Sequence, residues 1–307
     1  MSNPNIFFLE NDSYSKSVQK KIKLNFLIQE QIDEKTEIIV CRLAHYLGIN
    51  LLKKAKSLKY IVSPTTGLGH IDLEYCKTKK IQVLSLRDTL DEIANIRSTS
   101  ELTLFLIIGL IRNVFLAESS WENIGPKDRM KFRGRELSKM KVGIVGLGRI
   151  GNHLREYLES FKAKVFFYDI KNNFFDNNSF CESLEELIIN SDIISINADL
   201  NHTSSKLFSK KEFDLMKNKF LINTARAEII EKRYLIESLK NNSLKGYATD
   251  VYWEEQELSN YDKTLADLKK QGKNIILTPH IGGCTIDAME ATEKIIFTLL
   301  DKVLKNY

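Results

Sequence analysis

Three stretches of this chain combine residue types that do chemistry with the spacing that chemistry requires. The first is Gly146-Leu147-Gly148-Arg149-Ile150-Gly151, set between an apolar run, Lys141–Val145, and a helical pattern. A G-x-G-x-x-G turn in that context points backbone N–H groups and the positive end of a helix dipole at a dinucleotide pyrophosphate. Gly146 permits the tight turn, Gly148 lets backbone approach the phosphates, and Gly151 lets helix pack on strand. The next apolar run, Lys164–Tyr168, ends in Asp169. A carboxylate there accepts hydrogen bonds from a ribose 2′-hydroxyl and repels a 2′-phosphate, so NAD is expected over NADP, with Lys171 as a contrary charge nearby. The second stretch sets Arg226 just past the apolar run Phe220–Asn223, and the third sets His280 after residues 275–278 and Pro279, before Gly282-Gly283. Open α/β sheets gather ligand groups at the carboxyl ends of their strands. A planar guanidinium suits a carboxylate bidentately, although an arginine so placed is otherwise commonly a surface ion-pair partner. An imidazole is the natural acid and base near neutral pH. Of five histidines, His280 alone has so rigid a setting; His45, His153 and His202 read as structural or solvated.

The elements that must position these residues alternate along the chain. Short apolar runs at 6–9, 37–42, 60–63 and 81–86 are separated by helical patterns, the first lysine-rich and running from after residue 9 through 28, the others at about 49–58 and 71–80. A long helix is expected over 96–116, apolar nearly all round and therefore buried between layers. A polar arm, 118–139, with Gly125-Pro126 and Gly134, reads as a loop. Alternation then resumes: strands at 141–145, 164–168, 193–197, 220–223, 246–251 and 275–278, with helices near 152–161, 184–189, 210–216 and 233–241. An amphipathic helix over 287–304 closes the chain. Short strands alternating with helices imply parallel sheets covered on both faces, hence two α/β units.

Composition narrows the function class. Of 307 residues, 43% are apolar and 28% charged, with 45 Lys and Arg against 40 Asp and Glu. Those charges are interspersed, so the net +5 is a solvated lysine-rich surface and not the clustered footprint of a nucleic-acid binder. Cys41, Cys76, Cys181 and Cys284 lack C-x-x-C spacing, so neither a metal site nor a disulfide framework is expected. Cys41 and Cys284 read as packing residues. The longest apolar stretch, 102–110, falls well short of the ~20 residues that span a bilayer. The first residues carry no basic segment followed by an apolar core, so no signal peptide is expected and the cytoplasm is the default location.

Six runs together, 66–72 (TGLGHID), 146–151 (GLGRIG), 191–195 (SDIIS), 223–226 (NTAR), 250–255 (DVYWEE) and 277–283 (LTPHIGG), resemble the D-isomer-specific 2-hydroxyacid dehydrogenase family, which includes phosphoglycerate dehydrogenase-like enzymes. They occur in the family's order across nearly the whole chain. The resemblance implies two doubly wound α/β domains: a Rossmann-type NAD-binding domain, 97–284, inserted into a flavodoxin-like substrate-binding domain built from 1–96 and 285–307. It implies NAD-dependent hydride transfer between a small D-2-hydroxy acid and its 2-oxo acid. That chemistry needs a cation for the carboxylate and a proton donor for the developing alkoxide. The resemblance assigns Arg226 to the first and His280 to the second, with Glu255 as the carboxylate partner that favours the charged imidazole. Glu255 fits the motif count better than its neighbour Glu254. The backbone N–H groups of Thr66 and Gly67 would bind the substrate carboxylate, and His70 lies beside them. Thr224, Ala225 and Asp250 would line the nicotinamide, and Arg149, Ile150 and Gly283 join Gly146, Gly148, Gly151 and Asp169 in the cofactor-binding set. No metal is implied. Gln256 replaces the family's usual proline, Ala227 a glycine and Asn197 a histidine. A homodimer is implied, with the arm 118–139 and the helix before it as interface pieces. The rival reading is an NAD(H)-sensing corepressor-like protein of the same fold, against which the short chain without tails argues. Formate or phosphorus-anion chemistry is a third reading, against which Glu255 argues. No regulatory domain is expected after the closing helix.

Overall fold

In the computed structural model, residues 3–10, 14–171, 179–253, 255 and 262–305 are described. The chain divides into two compact units, one of Met1–Ile96 with Cys284–Tyr307 and one of Arg97–Gly283. The return to the first unit comes at Cys284, one residue before the position expected from the sequence.

In the first unit β1 (Asn5–Phe8), β2 (Leu27–Ile28), β3 (Ile38–Val40), β4 (Tyr60–Ser63) and β5 (Gln82–Ser85) form a sheet in the order β2-β1-β3-β4-β5. Every pairing is parallel, and this 2-1-3-4-5 order is the flavodoxin-like one. Strand alternation feeds two cores: Ile38, Val40, Tyr60 and Val62 enter one, Ile39, Cys41 and Ile61 the other. That is why the central strands read as unbroken apolar runs. Helices α1 (Lys16–Asn25), α2 (Ile49–Leu52) and α3 (Leu73–Thr78) connect them.

The second unit holds β6 (Lys141–Val145), β7 (Lys164–Tyr168), β8 (Ile193–Ile196), β9 (Phe220–Asn223), β10 (Gly246–Thr249) and β11 (Ile275–Leu277). Their order is β11-β10-β9-β8-β6-β7, again all parallel. On one face α4 (Ser98–Ile111) and α6 (Arg149–Ser160) bury Leu106, Leu110, Leu154 and Leu158 against Val142, Ile222 and Ile276. On the other, α7 (Leu184–Asn190), α8 (Lys210–Leu215), α9 (Lys232–Lys240) and α10 (Lys263–Lys270) cover Ile194, Leu221 and Tyr247. A short helix, α5 (Val114–Ser119), follows α4. The last helix, α11 (Ile286–Lys305), belongs to the first unit and sets Ile296, Phe297 and Leu300 into its core. It is tied there by Glu293, 1% exposed, which accepts from Ser15 N–H at 3.0 Å and Arg42 Nη2 at 2.5 Å.

Several elements differ from expectation. The helical pattern expected to run through residue 28 stops at Asn25, and residues 27–28 pair with β1 as an edge strand. Their backbone finds better partners in a sheet edge, where Leu27 N–H donates to Pro4 C=O at 3.0 Å. The helix expected over 49–58 is only the short α2. The helix expected over 96–116 is broken at Asn113, whose φ of 53° is left-handed. Asparagine tolerates that region, and the arm supplies the stop: Arg135 N–H donates to Ile111 C=O at 2.9 Å, capping a carbonyl that α4 leaves unpaired. A Cβ on Gly134 would stand 2.3 Å from the same oxygen, so only glycine lets the arm approach. Phe105 of α4 is 51% exposed, against the expectation of an all-buried helix. The arm is not plain loop but holds short 3-10 turns, Trp121–Asn123, Pro126–Phe132 and Leu137–Lys139. Helix α10, N-capped by Asp262 on Thr264 and Leu265, was not expected. No helix among the described residues is long and apolar enough to cross a membrane.

Candidate active site

The turn leaving β6 is shaped for an anion. Gly146 has a left-handed φ of +89°, and a Cβ there would stand 2.7 Å from Ala198 Cα. Its N–H donates to Tyr168 C=O at 2.8 Å, tying the turn to the end of β7. A Cβ on Gly151 would stand 2.2 Å from the Gly146 carbonyl oxygen, so glycine is required for α6 to close on the loop. Gly148 differs: it is exposed, and a Cβ there would meet nothing within 4 Å. The open side therefore lies at the N-terminus of the 12-residue α6, where N–H groups and dipole favour a phosphate. Burial pushes the Arg149 guanidinium below its ordinary value, a penalty that an adjacent anion would relieve. Ile150 C=O accepts from Ser100 Oγ at 3.0 Å, fixing the helix start against α4. Asp169 stands directly after β7. One of its carboxylate oxygens accepts from Leu147 N–H at 2.8 Å and the other from Lys171 N–H at 2.9 Å. Each oxygen has a second lone pair, so the carboxylate can hold the turn and still meet a ribose hydroxyl. These features fit a dinucleotide.

At the other side of the sheet, Asn223, Thr249 and Leu277 pair in register across β9, β10 and β11. Strands lie about 4.8 Å apart in a sheet, so residues just beyond this row gather along one edge. The three chemically assigned side chains come from its three loops, Arg226 after β9, Glu255 after β10 and His280 after β11.

Asn223 shapes the first loop. Its Nδ2 donates to Arg226 C=O at 2.9 Å and its Oδ1 accepts from Ala225 N–H at 3.0 Å. Arg226 is half-buried, and one of its five N–H donors, on Nη1, reaches Ala225 C=O at 2.6 Å. Thr224 is buried, with its hydroxyl 2.8 Å from that of Thr103 on α4.

The second and third loops are bound together. His280 Nδ1 lies 2.7 Å from Glu255 Oε2, with side chains 24% and 27% exposed. Glu255 Oε1 accepts from Tyr252 N–H at 2.7 Å, and Tyr252 OH donates to Thr278 C=O at 2.8 Å. His280 itself has φ 54°, a left-handed conformation that costs a bulky residue on the order of 1–3 kcal/mol. Asp250 opposes that cost. Its carboxylate, 1% exposed, accepts from Thr278 Oγ1 at 2.6 Å, Ile281 N–H at 2.9 Å and Gly282 N–H at 2.7 Å. Burial still pushes the Asp250 carboxyl above the usual range. Gly283, which follows, is exposed and open around its Cα. Glu254 and Gln256 lie outside the described residues.

Thr66 and Gly67 follow β4 in the first unit. Thr66 C=O accepts from Arg87 Nε at 2.7 Å and Gly67 C=O from Thr65 Oγ1 at 2.8 Å. No acceptor for either N–H is found among the described residues. His70 is 1% exposed and stands behind this turn on Ser63. Among the described residues no group of three or more His, Cys, Asp or Glu could hold a metal ion. Tyr252, Thr278, Asn223 and Thr103 were not singled out from the sequence; the first three lie in or beside quoted motifs, whereas Thr103 carries no local signal.

The family model described as D-isomer specific 2-hydroxyacid dehydrogenase, NAD binding domain, matches residues 104–282. A protein of Staphylococcus epidermidis provisionally named a 2-hydroxyacid dehydrogenase is 30% identical over 272 residues, 86% of this chain and 81% of its own. Among solved structures, the Aquifex aeolicus D-lactate dehydrogenase complexed with NAD and lactic acid superposes with a TM-score of 0.82 at 24% identity, covering 98% of this chain and 96% of its own. The NAD-dependent formate dehydrogenase of Staphylococcus aureus in complex with NAD gives 0.81 at 24% identity over the same shares. At that identity the two structures speak for the fold.

Proposed function

The chain belongs to the D-isomer-specific 2-hydroxyacid dehydrogenase family, an NAD-dependent oxidoreductase by that membership, and we propose that it interconverts a small D-2-hydroxy acid and its 2-oxo acid. The observation that carries this reading is the 2.7 Å contact between His280 Nδ1 and Glu255 Oε2, at the strand edge that also presents Arg226. When bound, the nicotinamide supplies or takes the hydride. The rest is the work of side chains. Arg226, with the N–H groups of Thr66 and Gly67, holds the substrate carboxylate, and its planar fork fixes which face of the carbonyl is presented. The Glu255 carboxylate accepts only, so Nδ1 of His280 bears hydrogen and Nε2 is the atom that exchanges a proton with substrate oxygen. In reduction, charged His280 donates from Nε2; in oxidation, neutral His280 accepts there. The Gly146, Gly148 and Gly151 turn takes the pyrophosphate, with Arg149 and Ile150 at the helix start, and Asp169 takes the ribose. Thr224, Ala225, Asp250 and Gly283 border the nicotinamide.

We further infer a homodimer and a cytoplasmic location. The first is supported by exposed apolar side chains on one stretch of the second unit, Phe105, Val114, Trp121 and Met130, and by a groove of about 930 Å³ lined by Phe115, Phe132, Ile275 and Leu277. The second is supported by four free cysteines, which suit a reducing compartment.

The test is absorbance of NADH at substrate excess with hydroxypyruvate, glyoxylate, pyruvate and phosphohydroxypyruvate. Turnover of at least one, with NADPH markedly poorer, is expected. Binding of NADH without turnover of any acid would overturn the enzymatic reading and favour a nucleotide sensor.

A further inference from the structure

The Thr66-Gly67 turn is backed by a file of hydrogen bonds through the interior of the first unit. Gly67 C=O accepts from Thr65 Oγ1 at 2.8 Å. Thr65 Oγ1 lies 2.9 Å from Ser63 Oγ, and Ser63 Oγ lies 3.2 Å from His70 Nε2. Ser63 is fully buried and His70 is 1% exposed. Counting protons orders these contacts. A carbonyl only accepts, so Thr65 uses its one hydroxyl proton on Gly67. Ser63 must then donate to Thr65, because otherwise two oxygen lone pairs would face each other at 2.9 Å. With its own proton committed, Ser63 accepts from the ring, and His70 must carry hydrogen on Nε2. Burial pushes the Cys41 thiol up, so that it stays protonated. Every proton in the file points the same way, toward the Gly67 carbonyl, and such one-way chains polarise and strengthen one another.

At the far end, Arg87 Nε holds the Thr66 carbonyl at 2.7 Å. The Thr66 carbonyl shares its peptide plane with the Gly67 N–H and the Gly67 carbonyl with the Leu68 N–H, so the Arg87 and Thr65 side chains fix the planes on either side of the Gly67 Cα. The Thr65 carbonyl, in plane with the Thr66 N–H, accepts from Leu86 N–H at 3.1 Å. We propose that His70, Ser63 and Thr65 form a one-way relay that anchors the Gly67 carbonyl and so, together with Arg87 on the Thr66 carbonyl, fixes the Gly67 conformation in which the turn presents its N–H groups to the substrate carboxylate, with His70 acting as a positioning residue from behind the turn. This rests on the dehydrogenase reading above and extends it to residues that never touch substrate.

Paired substitutions test it. Thr65→Val keeps the shape and removes the donor, and Thr65→Ser restores it. His70→Leu removes the ring donor, and His70→Gln places an amide N–H where Nε2–H stood. The donor-deleting variants should raise the KM for the 2-oxo acid about tenfold, the loss of one well-placed hydrogen bond, while kcat and NADH affinity stay within about twofold. The donor-keeping variants should recover most of the loss. Equal losses in both members of a pair, or KM and NADH affinity worsening together, would overturn the relay. A second measurement needs no variant activity: 15N spectra of ring-labelled wild-type protein, with the His70 signal assigned by its absence in His70→Gln, should show hydrogen on Nε2. Hydrogen on Nδ1 alone would overturn the relay whatever the enzyme does. Wild-type protein without oxo-acid turnover would instead remove the substrate role of the turn, and the dehydrogenase reading with it, leaving the ring spectrum to decide the proton order.

Discussion

Glu255 divides its carboxylate between two tasks, one oxygen on His280 Nδ1 and one on the Tyr252 N–H, each at 2.7 Å. It therefore fixes both the ring and the loop that carries itself. Replacing it with glutamine, whose amide keeps the shape but offers only one acceptor, leaves one of the two unmet. Glu255→Gln is expected to lower kcat about a hundredfold, the lower end of what a placed proton-transfer group contributes, with little change in NADH affinity. Steady-state kinetics beside an NADH fluorescence titration would check this. Unchanged kcat would remove Glu255 from the mechanism. Arg226 and His280 were legible in the sequence because each stands directly after a strand-like run, next to residues that stiffen the turn. The web that sets their geometry was not legible. Asp250 reaches the N–H groups of Ile281 and Gly282, and Thr103 meets Thr224, across long stretches of sequence. A hydroxyl on an apolar helix gives no local sign of such a partner.

Strands were easier to read than helices, for a physical reason. A central parallel strand is buried on both faces, so its apolar run begins and ends with the strand itself, as in Phe220–Asn223. A helix stops where something outside it makes stopping favourable. Helix α4 ends under the Arg135 N–H and the Asn274 side chain, which donates to Leu110 C=O at 3.0 Å. Neither residue is near it in sequence. The glycine-rich turn was legible because its demands are local, and its glycines can be separated by experiment. Gly151→Ala drives a methyl group into the Gly146 carbonyl and should lower both Tm and NADH affinity. Gly148→Ala meets no protein atom within 4 Å, so it should leave the Tm of the cofactor-free protein within about 2 °C while weakening NADH by at least about tenfold, through the methyl it places against the phosphates. Thermal denaturation and fluorescence titration on the two variants would separate these effects. Identical behaviour would mean that the open side of Gly148 is not where the pyrophosphate lies.

For the molecule as a whole, the alternation of short strands with helices made two α/β units legible, but not which surface another molecule covers. Trp121, 77% exposed on the arm, is the most exposed of the large apolar side chains grouped on that stretch. If a second copy covers it, Trp121→Glu should weaken dimerisation by at least about tenfold, as expected for a buried aromatic anchor, and light scattering should show dimer in the wild type and monomer in the variant at micromolar concentration. A wild-type monomer would overturn the homodimer. The last helix carries a different consequence. Helix α11 supplies Ile296, Phe297 and Leu300 to a core whose other members, such as Ile6, Val40 and Val62, lie within the first hundred residues. Without α11 those early strands have one face covered only in part, by Val18 and Ile22 of α1, while the inserted unit already has both of its faces covered by its own helices. Chains truncated after residue 285 and released should accordingly resist protease over the inserted unit and be cut in the preceding segment. The strands of the first unit would thus mature after the unit inserted behind them, waiting for a helix translated later than both.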